Sequence, residues 1–169
     1  ARVEAALRVL YQLTVAENFL DCNLQQVTSL AELQKLTKEL HKNSNLLTKG
    51  VLNTPVLEAA VSVLRPMVGS LVDGSASEGG MGAVTSIEVF LNSLDSVLST
   101  VHNLLLFSTD STMQLRKHLT KIQLFEDILM PYMRALVAHG GSWQCNRLLK
   151  IKQLIRGFII LTCKVAVFR

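Results

Sequence analysis

After Asp127 the 169-residue chain contains no acidic side chain. Aromatic residues are also scarce, at 5%, and three prolines and nine glycines are too few for a collagen-like or low-complexity chain. Charged residues make up only 18% against 49% hydrophobic. That balance excludes disorder, which requires too little apolar surface to offset the entropy of ordering. Three cysteines, Cys22, Cys145 and Cys163, lie far apart with no C-x-x-C pair. An odd, sparse set does not make a secreted disulfide scaffold, so buried reduced thiols are expected. The sequence has no N-x-[ST] acceptor and no signal-peptide pattern. Its least polar stretch, residues 157–168, is interrupted by Lys164 and is shorter than the roughly 20 residues of a bilayer span. These absences point to an intracellular setting, cytoplasmic or nuclear, without a membrane span.

What is present is helical punctuation. The apolar bias is aliphatic, which suits helices better than sheets. Val3, Ala6, Leu7, Leu10 and Leu13 recur at the spacing of one helical face, and the chain opens on this pattern without an initiator Met. It therefore reads as a single α-helical domain, residues 1–169, excised from a longer protein. Ser29 and Glu32 form an S-x-x-E capping box, followed by Leu30, Leu33, Leu36 and Leu40 as a stripe. Asn53-Thr54-Pro55 sets Pro at a helix start, and Leu57, Ala60, Val61, Leu64, Val68 and Leu71 predict a buried helix over 55–72, kinked at Pro66. Residues 74–83 read as a flexible Gly-rich loop, and Thr85 with Glu88 as a second capping box opening a helix to about Leu106. Further helices are expected from Thr112 to about Ile122, from Phe125 to Ala138 with a kink at Pro131, and from Gln144 to Phe168. No alternating run suggests a strand. The fold class is all-α, with about seven helices in an irregular helical repeat or a bundle.

The phrase Glu4-Ala5-Ala6-Leu7-Arg8-Val9-Leu10-Tyr11-Gln12-Leu13-Thr14 resembles the terminal helix of an armadillo or HEAT repeat. Phe125-Glu126-Asp127-Ile128-Leu129-Met130-Pro131-Tyr132-Met133, followed by Gly140-Gly141 and a long helix, resembles another such pair. The resemblance is one of pattern, with no residue-level internal repeat. Armadillo grooves often carry Trp and Asn four apart, whereas Trp143 and Asn146 are three apart. The resemblance implies a non-enzymatic scaffold that binds other proteins.

Catalytic patterns are missing. The Gly-rich loop has no Lys-Ser or Lys-Thr after Gly82 and does not follow a strand, so it is not a phosphate-binding loop. His41, His102, His118 and His139 form no i, i+4 pair and have no cysteine at zinc-ligand spacing. Glu126 and Asp127 are adjacent, which on a helix turns their carboxylates about 100° apart, as helix-start residues rather than an acid–base pair. No catalytic residue, metal ligand or cofactor is assigned, and the chain is read as not an enzyme.

Charge carries the functional signal. Residues 114–169 hold ten bases and two acids, whereas residues 1–113 hold seven bases and eleven acids. On the last helix Leu148, Ile151, Ile155, Phe158 and Ile159 project to one side. Trp143, Asn146, Lys150, Gln153, Gly157 and Lys164 project opposite, with Arg147 beside them. An exposed Trp near Arg and Lys, with a Gly permitting close approach, has the composition of a recognition surface; the alternative is a solvated face with Trp143 tucked under the Gly140-Gly141 turn. The expected partner-binding residues are Trp143, Asn146, Arg147, Lys150 and Arg156. The partner is an acidic or amphipathic segment of another protein, with nucleic acid second and an anionic membrane surface third; a four-helix-bundle cytokine-like ligand is a further alternative. On this reading, reversing Arg147 and Lys150 to Glu abolishes partner capture without unfolding the domain.

Overall fold

A computed structural model of the chain describes residues 2–15, 27–73, 81–139, 141, 143 and 147–163, with backbone alone for 81–86 and 163. These residues form seven α-helices: α1 (Arg2–Thr14), α2 (Leu30–Leu52), α3 (Val56–Val72), α4 (Met81–Phe107), α5 (Thr112–Lys121), α6 (Met130–His139) and α7 (Leu148–Cys163). A π-helical turn, Phe125–Leu129, leads into α6. No strand occurs among the described residues. The chain is all-α, as its periodicity predicts. No single helix among the described residues is long and apolar enough to cross a membrane.

The architecture follows from α4. A helix apolar on most of its circumference must be surrounded, and α4 buries Ile87, Phe90, Leu91, Leu94, Val97, Leu98, Val101, Leu104 and Leu105. It packs against α1, α2, α3, α5 and α7, most extensively against α1 and α7. The same helix also buries Ser93, Asp95, Ser99 and Thr100, and one of these, Asp95, organises the site described below. α3 buries the six residues anticipated from its spacing and faces α4, α6 and the π turn. Its only base, Arg65, ties it to that turn through Asp127 at 2.8 Å.

α2 holds the α4–α5 connection by buried polar side chains. Asn45 Oδ1 accepts from the backbone amides of Thr109 and Asp110, both at 3.0 Å, while its Nδ2 donates to Thr109 Oγ1. Ser108 Oγ donates to Ser44 O and meets Thr48 Oγ1 at 2.5 Å, and His41 Nδ1 donates to Phe107 O at 2.6 Å. The Phe107 carbonyl and the Thr109 and Asp110 amides thus find partners on α2, which is what burial of backbone amides and carbonyls requires.

Several local expectations change. The Ser29–Glu32 box forms, with Ser29 Oγ accepting from the Glu32 amide at 3.2 Å. Its apolar stripe does not bury as a unit, because α2 overhangs the body: Leu36 is buried but Leu30 is 71% exposed. Pro55 occupies the cap position of α3 rather than its first turn, and Thr54 Oγ1 instead donates to the closing carbonyls of α2. α3 runs through Pro66 as uninterrupted helix. α4 begins at Met81, so Thr85 and Glu88 lie inside it rather than at its start. The expected loop 74–83 accordingly shrinks at its end, residues 74–80 lying outside the described residues. Pro131 acts on the turn before it. Proline cannot donate to Asp127 O and its ring crowds that carbonyl; the chain widens there, and the Met130 amide bonds five residues back to Phe125 O. α7 is described from Leu148 to Cys163, so the remainder of the expected 144–168 helix, with the side chains of all three cysteines, Cys22, Cys145 and Cys163, lies outside what is described.

Between α5 and the π turn Gln123 adopts φ 58°, the one positive value among the described non-glycine residues. A side chain in the left-handed region costs about 1–2 kcal/mol, partly offset by the greater freedom of an unfolded glycine. Gln123→Gly is therefore expected to stabilise the fold by about 0.5–1 kcal/mol, read as a higher urea midpoint at unchanged slope.

Candidate functional site

The basic residues of α7 divide into two sets. Arg147 and Lys150, at its first turn, face α4. Arg147 Nη1 donates to Asp95 Oδ2 at 2.8 Å, and Lys150 Nζ to Asp95 Oδ1 at 2.8 Å and Oδ2 at 2.9 Å. Ser99 Oγ, one turn along α4, donates to Asp95 Oδ1 at 3.0 Å. The Asp95 side chain is 4% exposed while its two cations are about half exposed. Lys150 Nζ also sits 5.8 Å from the Tyr11 ring centroid of α1, within cation–π range. One buried carboxylate thus joins three helices. It lies at the start of α7, where negative charge also complements the helix dipole.

The far end of α7 is held by the opposite charge. Arg116 of α5 donates from Nη2 to Leu161 O at 2.5 Å, filling one of the carbonyls that a helix end leaves open. Burial holds the Arg116 guanidinium below its usual pKa.

These placements correct the recognition surface expected from the sequence. Trp143 is not exposed: it is 7% accessible and stacks on Tyr132 at 6.3 Å, which in turn meets Phe90 at 5.9 Å. Its burial agrees with the alternative, but the ring it meets is Tyr132, and Gly140, half of the turn that alternative named, lies outside the described residues. Gly157 does permit a close approach, but by His102 of α4; a Cβ there would lie 3.0 Å from the His102 ring. Asn146 lies outside the described residues. Arg156 is exposed, as expected. Arg147 and Lys150 come together, yet around Asp95 rather than toward an external ligand.

Sequence reasoning missed Asp95, although a signal was present. It is the only Asp, Glu, Lys or Arg between Glu88 and Asp110. A lone charge in an otherwise apolar helix must find a partner when that helix is buried, and the nearest supply is the acid-free last helix.

Beside this cluster α1, α4 and α7 enclose a polar cleft of about 140 Å³, lined by Glu4, Arg8, Tyr11, Gln12, Asn92, Asp95, Ser96, Arg147 and Lys150. Glu4 Oε1 accepts from Asn92 Nδ2 at 2.7 Å. Ser99 and Asp95 are both buried and no histidine enters their hydrogen bonds, so the pair lacks the base and access that a nucleophile needs. Among the described residues no group of three His, Cys, Asp or Glu is placed to hold a metal.

The outward side of α7 is different in kind. Leu149 is 65% and Ile160 45% exposed, and Lys152, Gln153 and Arg156 between them are exposed as well. At 100° per residue, Leu149, Gln153, Arg156 and Ile160 fall within one quadrant, with Lys152 at its edge. The result is two exposed apolar side chains at the ends of one face, with Gln153 and Arg156 between them and Lys152 beside, and α7 carries no acid to neutralise the charge.

Comparison with known proteins yields no match: no family model, no curated protein and no solved structure is similar to this chain.

Asp95→Asn removes the charge that Arg147 and Lys150 surround. Breaking a fully buried pair costs about 3–5 kcal/mol, but these cations are half in water, so a loss of about 1–2 kcal/mol is expected in urea denaturation. Reversing Arg147 and Lys150 to Glu gathers three carboxylates at one point and destabilises the fold by more than Asp95→Asn. A failure of that double variant to bind anything would therefore report unfolding, contrary to what the sequence alone suggests.

Proposed function

We propose that this chain is a non-enzymatic protein-interaction domain, of the helical-repeat kind that armadillo and HEAT proteins exemplify, working inside the cell. Its outward α7 face receives an acidic amphipathic segment of a partner protein. The observation that carries this reading is the exposed alternation of Leu149, Arg156 and Ile160, with Lys152 alongside, on a helix without acids. Apolar side chains left in water at helical spacing favour an apolar ligand face. The cations around them favour acidic residues at its rim, raising association rate and selecting partners by sign. Arg147 and Lys150 support the surface indirectly by fixing α7 on the body, and among the described residues of the expected set Arg156 is the one that meets the partner.

The exposed apolar pair also separates this reading from nucleic acid, whose backbone rewards cations but not leucine. The test is fluorescence anisotropy with two probes at physiological salt: an amphipathic peptide bearing Leu at helical spacing with Glu beside each, and a single-stranded oligonucleotide. The peptide is expected to bind. The Lys152→Glu/Arg156→Glu variant, folded by circular dichroism, weakens it by about tenfold, the effect of losing about 1.4 kcal/mol at a charged rim. Leu149→Ser weakens it as well. Binding of the oligonucleotide alone, indifferent to Leu149→Ser, overturns the proposal in favour of nucleic acid.

A further inference from the structure

α1 shares an outward side of the molecule with α7, because both helices run the same way along α4. α1 meets α4 first where Asn92 donates to Glu4 at 2.7 Å, and later where Asn103 Nδ2 donates to Thr14 Oγ1 at 3.0 Å. α7 meets it first at Asp95, through Arg147, and later at His102, whose ring lies against Gly157. Lys150 sits 5.8 Å from the Tyr11 ring centroid and sets the two helices side by side. The polar cleft lies between them, lined by Arg8 and Gln12 from α1 and by Lys150 from α7.

Helical rotation decides what stands on either side of that cleft. At 100° per residue Val9 follows Arg8, and Leu13 follows Gln12, by about 100° in one sense. Leu149 lies about 100° from Lys150 in the other sense. For two parallel helices these opposite turns lead away from α4 to the same outer side. Exposure agrees: Val9 is 62%, Leu13 54% and Leu149 65% exposed. Three apolar side chains on two neighbouring helices thus stand in water around a polar furrow, a combination that marks an interaction surface.

Charge selects the occupant. The exposed ionised side chains of α1 are Arg2 and Arg8. Its one acid, Glu4, is half-buried and held by Asn92. Arg8 has no ion pair or hydrogen bond among the described residues and stands at the cleft mouth. Beneath it, Asp95 meets two cations, Arg147 and Lys150, and neutralises one. The furrow and both its banks are therefore positive on balance, which draws an acidic chain and repels a basic one.

Resting on the reading of α7 as the face for an acidic amphipathic segment, we infer that this segment lies across α1 as well. Val9 and Leu13 take its apolar side chains alongside Leu149, and Arg8 takes one of its carboxylates at the cleft mouth. Arg147 and Lys150 stay on Asp95 and contribute only their charge. The recognition surface is then a platform of two parallel helices rather than one helix face.

The test uses the same Leu/Glu amphipathic peptide in fluorescence anisotropy at physiological salt. Val9→Ser/Leu13→Ser, at two exposed positions, is expected to weaken binding about tenfold with the circular dichroism unchanged. Arg8→Gln, which removes no contact of the fold among the described residues, is expected to weaken it about fivefold, the scale of a solvent-exposed ion pair. With each Glu of the peptide changed in turn to Gln, one position should cost affinity against the unaltered chain and nothing further against Arg8→Gln, which identifies the paired carboxylate. Binding that responds to Leu149→Ser and to Lys152→Glu/Arg156→Glu but to neither α1 variant overturns this inference and leaves the α7 reading standing. A peptide that does not bind at all overturns both. A chain that sediments as a dimer, separated by Val9→Ser/Leu13→Ser, assigns the α1 face to a second copy and also overturns the inference.

Discussion

A carboxylate buried to 4% exposure cannot stand alone, and the placement of α7 follows from that. Asp95 projects from the middle of the most enclosed helix of the fold. In such surroundings an unpaired ion is far costlier than a neutral group, so the chain must bring cations to it. Arg147 and Lys150 do so from two consecutive positions on one flank of α7, three residues apart, where both can reach the same two oxygens. Once they are there, Ile151, Ile155 and Phe158 fall onto α4, and Lys150 comes over Tyr11 of α1. The apolar contacts supply most of the driving force. The ion cluster decides which flank faces in, a choice that hydrophobicity alone leaves loose.

The division of charge along the chain acquires a structural meaning from this. The first 113 residues carry the acid excess and the last 56 the base excess, and the two meet at Asp95 with Arg147 and Lys150, and again at Arg65 with Asp127. At the other end of α7, Arg116 closes a carbonyl rather than a carboxylate. Part of what looked like a surface signal is therefore internal wiring between the halves. Lys152 and Arg156 remain outside it. They differ from Arg147 and Lys150 only by rotation about one helix, yet one pair holds the fold and the other faces water.

Helices were legible because their periodicity is local: the buried set of α3 follows from spacing alone. Starts and stops were less so. Thr85 and Glu88 have the residues of a capping box, but the preceding residues are helical enough to extend α4 back to Met81, and a box inside a helix has no open amides to satisfy. Leu30 and Leu33 have the spacing of a core stripe, but only an opposing helix buries a stripe, and α2 extends past its neighbours. On α7 the packed side holds, with Ile151, Ile155 and Phe158 buried, but the outward placing of Arg147 and Lys150 failed for a similar reason. A helical projection divides apolar from charged and assumes that charged means outward; it has no means of knowing that a neighbouring helix offers an acid. Trp143 was ambiguous because its exposure depends on Tyr132, eleven residues earlier on another helix, whose ring it covers.

The two basic sets of α7 also respond differently to their surroundings, so that one helix carries both an enclosed ion cluster and an exposed charged side. At physiological ionic strength the Debye length is about 8 Å, and exposed charges are screened while enclosed pairs are screened much less. Asp95 and its partners touch at 2.8–2.9 Å with one member sealed from solvent, so salt leaves α7 seated. Lys152 and Arg156 stand in water, so salt screens them directly. The inner set thus holds α7 on the body with Leu149 and Ile160 exposed, and on the proposed reading it is the outer set that sets how readily an acidic segment is drawn onto them.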